Sequence, residues 1–449
     1  MFFKRGYSII NLRKLIKGDA DFLQIREEHK EKLRKKANQI KEYLTIFFRW
    51  VFLSVIIGVF IGGLVGTLFY YALEWCTDTR STHEWLLYFL PLGGLLIVWL
   101  YRSCGVEKSR GTNLILLSIR EKEPLPAKMA PLIFISTSIT HLFGGSAGRE
   151  GAALQIGGSL GYRLGRLMKL DENALHVVTM CGMGSVFSAL FGMPVVAAVF
   201  ALEITSVGVM YYSALVPVCI SCLLASGIAQ SFGAIPTHFV LKASEEGISL
   251  LPALQIAVLA GLCALVAIIF CRMLRLFGKL YQRFFPNPYI RVAVGGVLVI
   301  LVTLLTGVHD YEGAGGDIIE RAISGEARPE AFLLKIILTG LTLGAGFKGG
   351  EIVPSFYIGA TFGCWMGGLL GIDPGIGAAV GLVCLFCGVV NCPITALFLS
   401  CSLFGYDTAP YFFLACAISY MLSGYTGLYS EQTIMYGKFR AKFINKKTE

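Results

Sequence analysis

The 449-residue chain is 55% hydrophobic and only 15% charged, with a formal net charge of +10 and a mean hydropathy of +0.67. Soluble domains carry roughly 25% charged residues, so this composition excludes an ordinary soluble core and indicates a polytopic membrane protein. The basic excess lies mostly at the two ends, beside apolar segments, where it reads as a membrane-proximal flank and not as a nucleic-acid surface.

In chain order, residues 1–46 form a basic cytoplasmic N-terminal segment with the helical lead-in "REEHKEKLRKKANQIKEY". They have no apolar signal-peptide core. Apolar runs at 47–75, 175–204, 214–232, 251–277, 292–308 and 376–404 approach or exceed the roughly 20 residues that a membrane helix needs. The runs at 131–143 and 352–362 are too short to span. Glycine-flanked short runs predict broken or re-entrant helices. Loops holding Arg102, Lys108 and Arg110, or Lys279, Arg283 and Arg291, would lie inside with both termini, and the net acidic 309–330 would lie outside. The thirteen cysteines are scattered singly. The Cys219/Cys222 and Cys384/Cys387 pairs sit in apolar runs and read as packing, so no metal and no cofactor is expected. His141 reads as a hydrogen-bonded structural residue.

The chain repeats itself. "GGSAGREGAALQIGGSLGYRLG" (144–165) aligns with "GFKGGEIVPSFYIGATFGCWMG" (346–367), matching Gly144, Gly148, Gly157, Gly161 and Gly165 to Gly346, Gly350, Gly359, Gly363 and Gly367. Further on, Gly182, Phe187, Pro194 and Ala197 meet Gly381, Phe386, Pro393 and Ala396. The organisation is therefore a first transmembrane repeat at 47–233, a linker at 234–249, a second repeat at 250–424 and a C-terminal segment at 425–449. The first repeat follows a basic segment and the second follows the acidic "SEEG", so they start on opposite sides. That is inverted topology, which puts a site at the repeat interface near the midplane.

In both copies a glycine-rich loop runs into an apolar helix. Glycine lets the backbone approach a ligand, and the unsatisfied N–H groups and dipole at a helix start attract an anion. Helix capping alone is the other reading of either copy. Glu150, in the first turn, would compete with the anion for that site, and its protonated form would vacate it and carry a proton. The other reading, a pair with Arg149, meets the obstacle that adjacent residues at a helix start point apart.

These residues resemble the CLC family of anion channels and proton-coupled antiporters. "GREGAALQ" resembles its GREGP motif, with Ala152 in place of proline, and "GGEIVP" (349–354) resembles GxFxP. "GTNLIL" (111–116) stands where the family carries GSGIP, and "GLYSEQ" (427–432) resembles the segment with its central tyrosine. The resemblance covers about 47–436 and implies an all-α fold of two inverted repeats with broken and re-entrant helices, and a homodimer. It implies that Glu150 is the gating glutamate. Thr112, Asn113, Gly148, Arg149, Gly151, Ala152, Ile352, Val353 and Tyr429 would line the anion path, with Tyr436 the other candidate tyrosine. Phe356 and Tyr357 would add aromatic lining or simply pack. Chloride antiporters carry an inner proton glutamate where this chain has Ile204, and the neighbouring Glu203 reads as structural.

"GFKGGE", with Glu351, is similar to the fluoride–proton antiporter branch, and so is "GTNLI". Val353 and Thr112 depart from that branch. Fluoride needs close, strong donors to replace its water and, as a weak base, suits a protonatable neighbour. Glu351 would be the second proton group, or else pair with Lys348. The expected function is export of fluoride against protons. The alternative is a chloride channel or chloride/proton antiporter on the same fold. An enzyme is not expected, since the chain has no HExxH, zinc-ligand cluster or GxSxG. No nucleotide-binding CBS domain is recognisable, which favours a prokaryotic plasma-membrane protein.

Overall fold

A computed structural model describes residues 6–106, 110–121, 123–239, 241, 249–406 and 409–449, and the side chains of 6–28 are outside the description. The expectations for Lys108 and for linker residues 240 and 242–248 fall outside the described residues. The chain forms two units, Met1–Leu53 and Ser54–Glu449. In the first unit the backbone is helical from Gly6, in α1 (Gly6–Ile56). Its described side chains are exposed from His29 to Arg49, with an i,i+4 pair of Lys35 and Glu31, and Leu53 is buried.

The second unit continues in chain order. A π-helical stretch, Ile57–Gly66, leads into α2 (Thr67–Thr82), then α3 (Leu90–Ser103), α4 (Thr112–Glu121), α5 (Met129–Leu142) and α6 (Glu150–Leu167). Next come α7 (Glu172–Phe191), α8 (Pro194–Glu203), the short strand β1 (Ser206–Val207) and α9 (Leu215–Ser231). The later half has α10 (Leu250–Phe284), α11 (Pro288–Thr306), α12 (Gly316–Ile323), α13 (Ala331–Ala345) and α14 (Ile352–Leu369). It closes with α15 (Pro374–Val390), α16 (Pro393–Phe404), α17 (Ala409–Leu422) and strands β2 (Thr433–Tyr436) and β3 (Phe443–Lys447). Among the described residues, seven helical spans are long and apolar enough to cross a membrane. The protein is a helical, multi-pass membrane protein.

The repeat is visible helix by helix, α5 to α9 answering α13 to α17. Two of the longest expected spans, 175–204 and 376–404, are each broken in two at the same place. Gly192 ends α7 at φ 68° and Asn391 ends α15 at φ 57°, both left-handed. Met193 and Cys392 then adopt φ −118° with ψ 76° and 77°, and Pro194 and Pro393 open the next helices. Proline disfavours helical backbone in the residue before it and has no N–H to continue the ladder. Asn tolerates the left-handed turn better than most side chains, and its amide donates to Thr426 O at 3.1 Å. Two other expectations change. The run at 352–362 extends to an 18-residue helix, and Glu84–Ser103 is an additional span.

The shared glycines serve packing. A Cβ on Gly157 would stand 2.0 Å from Gly182 O, and one on Gly359 would stand 2.4 Å from Gly381 O. So α6 crosses α7, and α14 crosses α15, with backbones in direct contact, a small-residue interface suited to membranes. An all-α expectation leaves out one feature. The strands form a three-stranded sheet in the order β1-β2-β3, β1 parallel and β3 antiparallel to β2. It fastens the C-terminal segment to the end of α8.

Candidate functional site

The two glycine loops meet. Gly148 and Gly350 exchange both backbone hydrogen bonds, each 2.7 Å, in an antiparallel bridge. Antiparallel pairing of equivalent residues relates the two helix starts by a local two-fold axis. Left-handed glycines, Gly144 at φ 79° and Gly346 at φ 114°, turn each loop back from the preceding helix. Because the bridge uses the Gly148 N–H, that group is not a free donor. This corrects its expected place among the anion-binding residues.

Glu150, the first residue of α6, crosses to the other repeat. Its Oε2 accepts from the Val353 N–H of α14 at 3.1 Å, and its Oε1 has no hydrogen-bond partner among the described residues. The side chain is wholly buried. A carboxylate on the unsatisfied N–H groups of a helix start is favoured by their partial positive charge. The expected rival, an Arg149–Glu150 pair, does not form. The Arg149 guanidinium lies over Tyr70 at 5.5 Å and Phe191 at 5.4 Å, so it is held by ring faces. His141 has its Nε2 3.3 Å from Gly148 O, the structural role expected of it.

Glu351 stands on the other flank. A Cβ built on Gly151 would meet Gly350 Cα at 3.2 Å, Thr112 Oγ1 at 3.3 Å and Glu351 Oε2 at 3.5 Å. Gly151, Thr112 and Glu351 therefore converge. Lys348 does not pair with Glu351, since its Nζ lies 4.8 Å over the Tyr101 ring. Tyr429 is buried, its hydroxyl has no partner among the described residues, and it lies within electrostatic reach of Glu351 and Glu150. Tyr436 is 52% exposed and packs edge-on to Phe443, so it leaves the central place to Tyr429. Two buried polar atoms without partners, Glu150 Oε1 and Tyr429 Oη, leave capacity for an ion or water at this centre.

Other expected site residues divide. Gly151, Ala152, Ile352 and Val353 occupy the first turns of α6 and α14. Val353 and Phe356 line a cavity of about 310 Å³ that also touches Arg149, His141 and Phe191. Tyr357 turns away. Its hydroxyl donates to Asp310 O at 3.3 Å and its ring lies under Lys335. Asn113 is a tether, its Oδ1 accepting from the Glu431 N–H at 3.1 Å in the segment that carries Tyr429. Glu203 is structural, as expected. Its carboxylate accepts from the N–H groups of Ile394 at 3.2 Å and Thr395 at 2.8 Å and from the Thr395 hydroxyl at 2.5 Å, capping α16.

The sequence reading missed Lys335, a fully buried cation in α13. Its Nζ donates to the carbonyls of Gly313 at 2.8 Å and Tyr311 at 3.1 Å. Gly313 O also accepts from the Ala147 N–H at 3.2 Å, so Lys335 pins the 309–315 loop against the turn before α6. A lone lysine inside "AFLLKIILTG" was the available signal, because a buried intramembrane charge needs a partner. Among the described residues, no three His, Cys, Asp or Glu side chains gather as a metal site.

Residues 93–424 match the model of the voltage gated chloride channel family. The chain belongs to this family, the CLC proteins. A "chloride/fluoride channel protein" of Pseudomonas syringae pv. tomato is 33% identical over 405 residues, spanning 88% of this chain and 89% of the relative. An "H(+)/Cl(-) exchange transporter ClcA" of Vibrio cholerae is 25% identical, covering 78% of this chain and 81% of the relative. The solved structure of "a CLC-type fluoride/proton antiporter" superposes with a TM-score of 0.82 at 31% identity, covering 86% of this chain and 98% of the other. That of "a slow cyanobacterial Cl-/H+ antiporter" shares the fold, with a TM-score of 0.71 at 19% identity.

Proposed function

We propose that this CLC protein exports fluoride in exchange for protons, with Glu150 as the group that alternates between blocking the anion site and carrying a proton. The observation behind this reading is the Glu150 carboxylate on the Val353 N–H, where the helix start of one repeat is occupied by an acid of the other. Ionised, the acid fills the donors an anion would use. Protonated, it loses the charge that holds it there and frees them. Glu351, beside Thr112 and Gly151, is the second acid of the site and receives protons from the Tyr429 side. Fluoride is the preferred anion because it is a weak base that shares protons with carboxylates and needs short, strong donors in place of water. The relatives named for fluoride support this choice. An inner relay through Glu203 is disfavoured by its commitment to the α16 cap.

A chloride pathway on the same fold is the second reading, favoured by the apolar Val353 side chain, which brings no hydroxyl to the site. Flux from liposomes decides between them. Purified protein is loaded with fluoride or chloride, and anion efflux and proton uptake are recorded with and without a proton shunt. Fluoride-selective efflux that drives protons is expected. Equal chloride efflux removes the fluoride assignment, and fluoride efflux without proton movement removes the exchange. The same reading puts the protein in a prokaryotic plasma membrane, both termini cytoplasmic, as a homodimer with one pathway per subunit. Cross-linking in membranes and protease access to the tails test those parts.

A further inference from the structure

A second cavity, of about 240 Å³, lies between α3, α11 and the turn after α13. Its wall is basic, with Arg102 near the end of α3, Arg291 in the first turn of α11 and Lys348 beyond α13. Among the described residues none of the three has a carboxylate partner, although ion pairs occur elsewhere in the unit. Each is instead held in place by a ring or a carbonyl. Arg102 lies 5.2 Å over Tyr289, Lys348 lies 4.8 Å over Tyr101, and Arg291 Nε donates to Ala345 O at 3.2 Å. Three fixed like charges around one cavity repel each other, and an anionic occupant converts that repulsion into attraction.

The surroundings narrow the occupant. On α3, Leu92, Leu96 and Trp99 are exposed at helical spacing, and α11 exposes Ile290 and Val297. In a membrane-spanning chain these apolar faces meet acyl chains. A basic pocket at the end of such faces suits a phosphate whose tails continue along the helices. Arginine adds forked donors that match phosphate oxygens. The positive-inside pattern of the same loops puts the pocket at the cytoplasmic leaflet.

We propose that this cavity binds a phosphate group, supplied by the headgroup of an anionic phospholipid. Such a site operates whichever ion the central glutamates handle. The full-length protein, purified in detergent, is titrated with dioleoyl phosphatidylglycerol, dioleoyl phosphatidylcholine or inorganic phosphate, and bound adducts are counted by native mass spectrometry. Wild type is compared with Arg102→Gln/Lys348→Gln and with Arg166→Gln/Lys169→Gln, which removes two cations elsewhere. Phosphatidylglycerol is expected to bind about tenfold more tightly than phosphatidylcholine. The Arg102/Lys348 variant should lose that margin and the control should keep it. Inorganic phosphate that binds wild type alone, abolished by the same variant and without a lipid preference, would overturn the lipid source and leave the free ion as occupant. Binding of all three ligands unaffected by the Arg102/Lys348 change would overturn the site. Melting and gel filtration report whether each variant folds. If the double variant does not, Arg102→Gln alone should still lose part of the margin, and a full margin would count against the proposal.

Discussion

The two helix starts have nearly the same backbone and opposite chemistry. Arg149 caps α6 at φ −116°, ψ −12°, and its counterpart across the bridge, Glu351, caps α14 at φ −100°, ψ −11°. One residue on, Glu150 answers Ile352. The repeat therefore builds a symmetric pair of donor sites, and single substitutions then make them unequal. The first copy sends a cation onto aromatic rings and an acid across the interface. The second keeps an acid beside Thr112 and gives its Val353 N–H to the acid of the first. Symmetry supplies the scaffold, and its breaking puts an acid of one repeat on the donors of the other.

The largest expected effect comes from Glu150→Gln, which would mimic the protonated gate. Proton flux coupled to anion efflux should fall on the order of 10²-fold, the lower range for losing a positioned proton-transfer group. Full coupled transport in that variant would remove Glu150 from the mechanism. Glu351→Gln should lower coupled turnover on the order of tenfold or more while melting like wild type. Normal rates would make the two acids unequal in function as well as position. The scaffold half of the comparison is tested by Gly157→Ala and Gly359→Ala, measured by thermal melting in detergent. Each should cost about 1–3 kcal/mol through overpacking, and a large cost in one repeat alone would break the equivalence. Glu203→Gln should cost about 1–2 kcal/mol of stability from a weakened charged cap, with the proton-to-anion ratio unchanged. Arg149→Lys is the mildest. It should cost about 0.5–1 kcal/mol from lost stacking, and a change in coupling ratio would give that side chain a direct part in transport.

Much of this was legible because glycine and proline constrain the backbone wherever they fall. The matched Gly144/Gly346 and Pro194/Pro393 pairs reported the repeat before any coordinate did, and Glu150 stood out as an acid among apolar residues. What stayed hidden was long-range. Nothing local to Gly148 says that its N–H is spent on Gly350, nor that Asn113 tethers Glu431 more than 300 residues on. Hydropathy windows ran α7 into α8 and α15 into α16, because a single left-handed residue before a proline leaves the apolar run intact. They also passed over Glu84–Ser103.

The C-terminal segment locks the Tyr429 turn from several sides. The Thr448 hydroxyl bonds the Tyr429 carbonyl, Arg120 donates to Glu431 O at 2.6 Å, and Lys447 pairs with the Glu431 carboxylate, whose hydrogen bond holds the lysine pKa above its ordinary value. The Gly148–Gly350 bridge sets a harder limit. Sliding one repeat past the other would strip two N–H···O=C bonds between buried residues, and a buried backbone group left unpaired costs about 1–3 kcal/mol. A swinging carboxylate crosses no such barrier. On the proposed exchange reading, movement of the Glu150 side chain off the Val353 N–H leaves the Gly148–Gly350 bridge intact, whereas a hinge between the repeats would break it.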